Sequence, residues 1–95
     1  MKINMEEEYN VKMYGEFVKF LQPMYDSRDS FYGKAKILEY NGIRYLQSYN
    51  TVVAKIENGE PVINGWYSQT TGRHINEFLQ QNGFDKMSKK EMEEE

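Results

Sequence analysis

Asn41-Gly42, set between two apolar runs at residues 34–40 and 43–49, constrains this chain more than any other feature. The favoured two-residue hairpin loop needs positive φ at both central positions, and Asn-Gly adopts that geometry at little cost. Such a loop also fixes the register. Tyr40 then faces Ile43, Leu38 faces Tyr45 and Ile37 faces Leu46. Glu39 falls opposite Arg44, a cross-strand charge pair that the loop by itself does not demand. Residues 51–57 are β-branched and read as a third strand. Asn58-Gly59-Glu60-Pro61 forms the next turn. Residues 62–67 read as a fourth strand, in which Gly65 marks a bulge or a close backbone approach. Sequential strands joined by short turns form an antiparallel meander.

A helix is predicted over residues 70–82. Ser68, Thr70 and Thr71 supply hydroxyl N-caps, and Thr71, Ile75, Phe78 and Leu79 share one face at helical spacing. Gly83 stands where a helix needs a left-handed residue, and Phe84 stands where an apolar contact back to Leu79 completes the stop. The N-terminal third carries two competing patterns. Met13, Phe17, Phe20, Leu21 and Met24 follow a helical period, whereas Val11, Met13, Phe17 and Leu21 also fit an alternation broken at Gly15 and Lys19. The helical pattern is the better match and predicts a helix over residues 6–21, closed before Pro23. Residues 85–95 are charged, and their one capping box, Ser88 to Glu91, opens a segment too short to be helical alone, so a frayed tail is expected. The predicted architecture is α+β: a four-stranded meander (34–40, 43–49, 51–57, 62–67), a C-terminal helix and an N-terminal helix. It forms a single domain over residues 1–84, with 1–23 as its variable N-terminal segment.

Charge and composition narrow the function. The net charge of −3 lies at the ends: residues 24–84 hold six acids and six bases, while residues 85–95 hold five acids and three bases. A neutral body argues against a strongly basic nucleic-acid binder and also against a folded acidic DNA mimic. The chain has no cysteine, which removes thiolate nucleophiles and cysteine-based metal sites and fits a reducing cytoplasm. No apolar h-region follows Met1-Lys2-Ile3, and no apolar stretch is long enough to span a bilayer, so neither a signal peptide nor a membrane role is expected.

Few residues carry candidate chemistry. His74 is the sole histidine, and Glu77 lies one helical turn away, within reach of it. No serine or threonine is tied to that pair by a catalytic signature, so the histidine reads as structural and no catalytic residue, metal or cofactor is expected. Thr70, Thr71, Gly72 and Arg73 open the helix, where free N–H groups suit a phosphate or carboxylate. Ordinary capping explains the same residues, although Arg73 is electrostatically misplaced there. The register places Tyr40, Tyr45 and Tyr49 on one sheet face with Lys34 and Lys36. Three readings of that face stay open: core packing under the N-terminal segment, a protein-binding surface, and a base-stacking surface for nucleic acid. With Arg73 and His74, these five are the candidate partner-binding residues. The acidic runs Glu6–Glu8 and Glu93–Glu95 read as solvated ends.

Met24-Tyr25-Asp26-Ser27-Arg28, Ser30-Phe31-Tyr32-Gly33-Lys34-Ala35, Ser48-Tyr49-Asn50-Thr51-Val52-Val53-Ala54, Trp66-Tyr67-Ser68-Gln69-Thr70-Thr71 with Arg73-His74-Ile75-Asn76-Glu77-Phe78-Leu79, and Asn82-Gly83-Phe84 together resemble a family of small uncharacterised proteins of Firmicutes phages and mobile elements. The resemblance spans residues 24–84 and carries over no functional residue. It implies an accessory role in a bacterial host cell. The expectation is therefore a non-enzymatic protein that binds a macromolecular partner, whether a host factor or itself. One specific form is an inhibitor of a host defence system such as a CRISPR nuclease. A nucleic-acid binder using the aromatic sheet face and Arg73 is the alternative.

Overall fold

The computed structural model describes residues 2–95. Eight elements follow one another: α1 (Met5–Tyr14), β1 (Glu16–Phe20), β2 (Ala35–Tyr40), β3 (Ile43–Ser48), β4 (Thr51–Glu57), β5 (Glu60–Ile63), α2 (Gln69–Gln81) and α3 (Lys89–Glu93). The strands form one five-stranded antiparallel sheet in sequence order. The hairpin register is as predicted, with Tyr40 paired to Ile43, Leu38 to Tyr45 and Glu39 to Arg44. Asn41 and Gly42 take φ of 53° and 75°, and Asn58 and Gly59 repeat the device at 55° and 75°. The Glu39–Arg44 pair forms at 3.0 Å, but both side chains are near half-exposed, so it contributes little beyond register.

Each face of the sheet is covered. On one, α2 lays Ile75, Phe78 and Leu79 over Ala35, Ile37, Leu46, Val53, Ala54 and Ile63. The cap of α2 is Ser68, whose hydroxyl accepts the Thr71 N–H at 3.1 Å. Its end is the predicted one: Gly83 has φ of 87°, the Phe84 N–H donates to the Leu79 carbonyl at 2.9 Å, and the Gly83 N–H donates to Gln80 at 3.1 Å. On the other face, α1 covers Leu38, Tyr45 and Val52 with Val11, assisted by Ile3.

Three expectations are corrected. The N-terminal segment is not one helix over 6–21: α1 stops at Tyr14 and residues 16–20 are a fifth strand paired with β2. Gly15 makes the switch. A Cβ there would lie 2.5 Å from the Val11 carbonyl oxygen, so only glycine lets the chain turn from helix to strand so abruptly. The helical spacing misled because, of the five apolar residues that define it, only Leu21 is buried. The last strand ends at Ile63, short of the predicted Tyr67. Gly65 takes φ of 124°, a region closed to other residues, and turns the chain so that Trp66 packs against Gly72 on α2. The tail does not fray. Ser88 and Glu91 form their capping box, and Met92 is buried in the α2 core. The Asn76 side chain grips the Met87 backbone from both sides, at 2.7 and 3.0 Å. Tertiary packing thus holds a five-residue helix that could not persist alone.

Candidate functional site

The tyrosine face predicted for partner binding does not exist as a surface. Tyr45 is fully buried under α1, with Tyr40 half-buried at the rim. The Tyr45 hydroxyl donates to Glu7 at 2.6 Å, Lys55 bridges Glu7 and Glu57 at 2.7 Å each, and Glu8 accepts the Val52 N–H at 2.9 Å. Burial would raise the Glu7 carboxyl, but the bonds from Lys55 and Tyr45 outweigh it and hold Glu7 below the usual carboxylate range. Burial would likewise lower Lys55, and its bonds to Glu57 and Glu7 outweigh that and raise it. Burial and Glu7 together push the Tyr45 phenol well up. Tyr49 leaves the ladder at φ of 56° and swings to the opposite side, its ring 6.0 Å from that of His74. The three rings therefore do not share a face, and the aromatic sheet surface expected for protein or nucleic acid is core.

Four of the seven predicted residues nevertheless converge. Lys34, Tyr49, Arg73 and His74 line a cavity of about 360 Å³ on the α2 side, between the loop at 25–33, the β3–β4 turn and the start of α2. Lys36 lies just outside it, beside Lys34 and Tyr49. His74 is buried, with Nδ1 2.8 Å from Ser48 Oγ and its ring edge-on to Phe31 at 4.6 Å. Ser48 Oγ in turn lies 2.9 Å from Thr71 Oγ1. Burial lowers the His74 pKa and the nearby Asp26 only partly offsets it, so the imidazole is neutral at pH 7. Ser48 is itself buried, 2% exposed, and its hydroxyl is engaged by both His74 and Thr71. Among the described residues, no three His, Asp or Glu side chains stand close enough together to hold a metal ion.

Glu77 does not orient His74, the role its spacing suggested. It is buried and aimed at the loop, where its carboxylate accepts the N–H groups of Met24 (2.9 Å), Tyr25 (3.1 Å) and Asp26 (2.9 Å), with the Gln81 side chain donating at 2.7 Å. Burial would raise this carboxyl, but the donors outweigh it and hold it below the usual range. The loop so anchored presents Asp26, which takes the Arg73 guanidinium at 3.0 and 3.2 Å. Arg73 is thereby half-neutralised, which resolves its misplacement at a helix start. Thr71 and Gly72 are buried, leaving Thr70 as the helix-opening residue that lines the cavity. Arg28 is the cavity cation that sequence reasoning missed; only the loop's return against α2 brings it there.

A second surface was also missed. All five residues of β1 are exposed, and β1 is an edge strand. Phe17 pairs with Leu38 and Phe20 with Lys36, so both rings share the α1 face, 5.0 Å apart and edge to face. Met13 and Tyr14, at the end of α1 immediately before β1 in the chain, are exposed as well. The β-forming run Phe17-Val18-Lys19-Phe20 was the available signal, hidden by the helical spacing around it.

Fold and surfaces define a small α+β protein whose five-stranded meander is clasped by a helix on each face. It belongs to DUF8033, a family of unknown function, whose model matches residues 20–94. That match takes in the tail as far as Glu94, beyond the 24–84 span of the resemblance, and leaves out α1 and nearly all of β1. No curated protein matches the chain, and no solved structure does. No helix among the described residues is long and apolar enough to cross a membrane.

Proposed function

We propose that this is a non-enzymatic binding protein that docks a protein partner on the strip formed by the end of α1 and by β1. The observation that carries the reading is the exposure of Phe17 and Phe20, 54% and 44%, on an edge strand paired on one side alone. β1 carries the charges (Glu16, Lys19) and the bulge that ordinarily blunt an edge, so it is the contiguous pair of exposed aromatic rings on its face that marks the interaction surface. The burial of Ser48, the hydroxyl beside His74, supports the non-enzymatic part. The resemblance to small phage and mobile-element proteins supports a host protein as the partner, with inhibition of a defence nuclease such as a CRISPR effector as its most specific form.

Tagged protein is expected to retain a partner from a bacterial lysate, and a Phe17→Ser, Phe20→Ser double variant to lose it while keeping the wild-type fold by circular dichroism. Both rings are about half in water, so each change should cost roughly 1 kcal/mol. Light scattering of the isolated chain separates a foreign partner from a second copy. Equal retention by wild type and double variant would count against the strip.

A further inference from the structure

The cavity at the start of α2 carries an inference of its own, independent of the protein-partner reading and built from other residues. Two tyrosines frame its mouth in backbone conformations that disfavour them. Tyr32 and Tyr49 both have φ of 56°, the left-handed region that is rare for bulky side chains and ordinarily taken by Gly or Asn. Tyr32 precedes Gly33, at φ of 74°, in a tight turn closed by the Lys34 N–H donating to the Phe31 carbonyl at 3.0 Å. Tyr49 occupies the two-residue turn between β3 and β4. Neither ring is buried in a core: Tyr32 is 78% and Tyr49 47% exposed. Backbone strain at two positions that present rings to one cavity is characteristic of a binding site.

Charge at the cavity has one sign. Arg28 and Lys34 line it, and neither has a carboxylate within ion-pair distance among the described residues. Of the first-turn N–H groups of α2, those of Thr71 and Gly72 are taken by Ser68, and Thr70 is the first-turn residue that faces the cavity. At the floor, His74 is 1% exposed; with Nδ1 taken by Ser48, its Nε2 is the ring nitrogen left to meet a ligand. Cations at the rim, aromatic faces at the mouth and a buried neutral imidazole beneath suit a ligand that joins a phosphate to a flat ring.

We propose that this cavity binds a phosphate-bearing planar ring, a nucleotide by chemical class, whether free or as part of a single strand of nucleic acid. The rings of Tyr32 and Tyr49 stack on the base, Arg28 and Lys34 hold the phosphate, and His74 Nε2 hydrogen-bonds at the floor.

The single histidine makes the test specific, because its Cε1–H proton gives one imidazole resonance. Adenosine 5′-monophosphate titrated into the full chain is expected to move that resonance to saturation. Adenosine and inorganic phosphate, each alone, should bind at least about tenfold more weakly. Arg28→Ala combined with Lys34→Ala should weaken binding by about tenfold or more and flatten its salt dependence. Tyr49→Gly removes a ring and relieves the left-handed strain, so it should keep or raise the melting temperature while weakening binding about tenfold. A ten-nucleotide single-stranded DNA that binds more tightly than the mononucleotide assigns the site to nucleic acid; the reverse order assigns it to a free nucleotide. A His74 resonance that stays fixed with both probes at millimolar concentration overturns the proposal, as do variants that bind with wild-type affinity.

Discussion

Glu77→Ala is expected to destabilise the protein by about 3 kcal/mol, among the largest single-residue effects in the molecule. The carboxylate is the common acceptor for the N–H groups of Met24, Tyr25 and Asp26 and for Gln81. Orphaning a partly buried donor costs roughly 1–3 kcal/mol, and the loop can recover part of that by opening to water. Glu77→Gln should fare almost as badly, within about 1 kcal/mol of alanine. Both oxygens accept from loop N–H groups, so either amide orientation sets an NH₂ group against another donor. Urea titration measures the loss. Amide exchange should show it as lost protection at residues 24–26, with the Asp26–Arg73 contact and the cavity wall loosening together. The same group sets an acid limit. Its folded pKa lies below the ordinary value of 4.5, so its stabilisation is fully present above that value and is lost as pH falls through the folded one. A Glu77→Ala protein should therefore show a shallower decline in stability with acid than wild type.

Lys55→Met is expected to cost about 2–3 kcal/mol, less than the roughly 3–5 kcal/mol typical of a broken, fully buried pair, because Glu7 and Glu57 retain some contact with water. The lysine side chain is 7% exposed and, among the described residues, is the one cation that bridges both carboxylates. Removing it leaves Glu7, on the sheet-facing side of α1, charged with the Tyr45 hydroxyl as its one remaining partner among the described residues. Adding Glu7→Gln should restore part of the loss, so the double variant is predicted to be more stable than Lys55→Met alone, a sign that contacts merely adding together would not give. Chemical denaturation of the four members of the cycle checks this. Lys55 also sets an alkaline limit. Its folded pKa is raised above 10.5, so its contribution is present below that value and fades as pH rises through the folded one.

These two networks explain how far the sequence could be read. The hairpin was legible because Asn41-Gly42 dictates dihedrals locally, and α2 because Ser68 and Gly83 mark its ends while Ile75, Phe78 and Leu79 supply an apolar face. α1 was illegible as a cover for the sheet. It buries one of its own apolar residues, Val11, and otherwise docks through Glu7 and Glu8, which look like solvated charges until Tyr45, Lys55 and the Val52 N–H are brought to them. That hidden docking is why Tyr45 read as a binding residue. α3 was missed for a similar reason, since Met92 is its single apolar anchor and its site exists only after α2 and Trp66 have packed. Of the candidate site, Lys34, Tyr49, Arg73 and His74 were found from the right residue types for partly wrong reasons: strand alternation put Tyr49 beside Tyr45, and the turn at φ of 56° sends it to the other side. Arg28 depended on a loop return that no local pattern announces, and the β1 strip on a helix-to-strand switch whose signal, the β-forming run 17–20, was hidden by the helical spacing around it.

The claim that a partner docks along the open edge is tested most directly by amide hydrogen exchange of the chain alone and in its lysate-captured complex. Slowed exchange in the complex is predicted over residues 13–20, with the β4–β5 edge on the far side of the sheet unchanged. Protection confined to β5, α2 or α3, with β1 exchanging as freely as in the isolated chain, would contradict it.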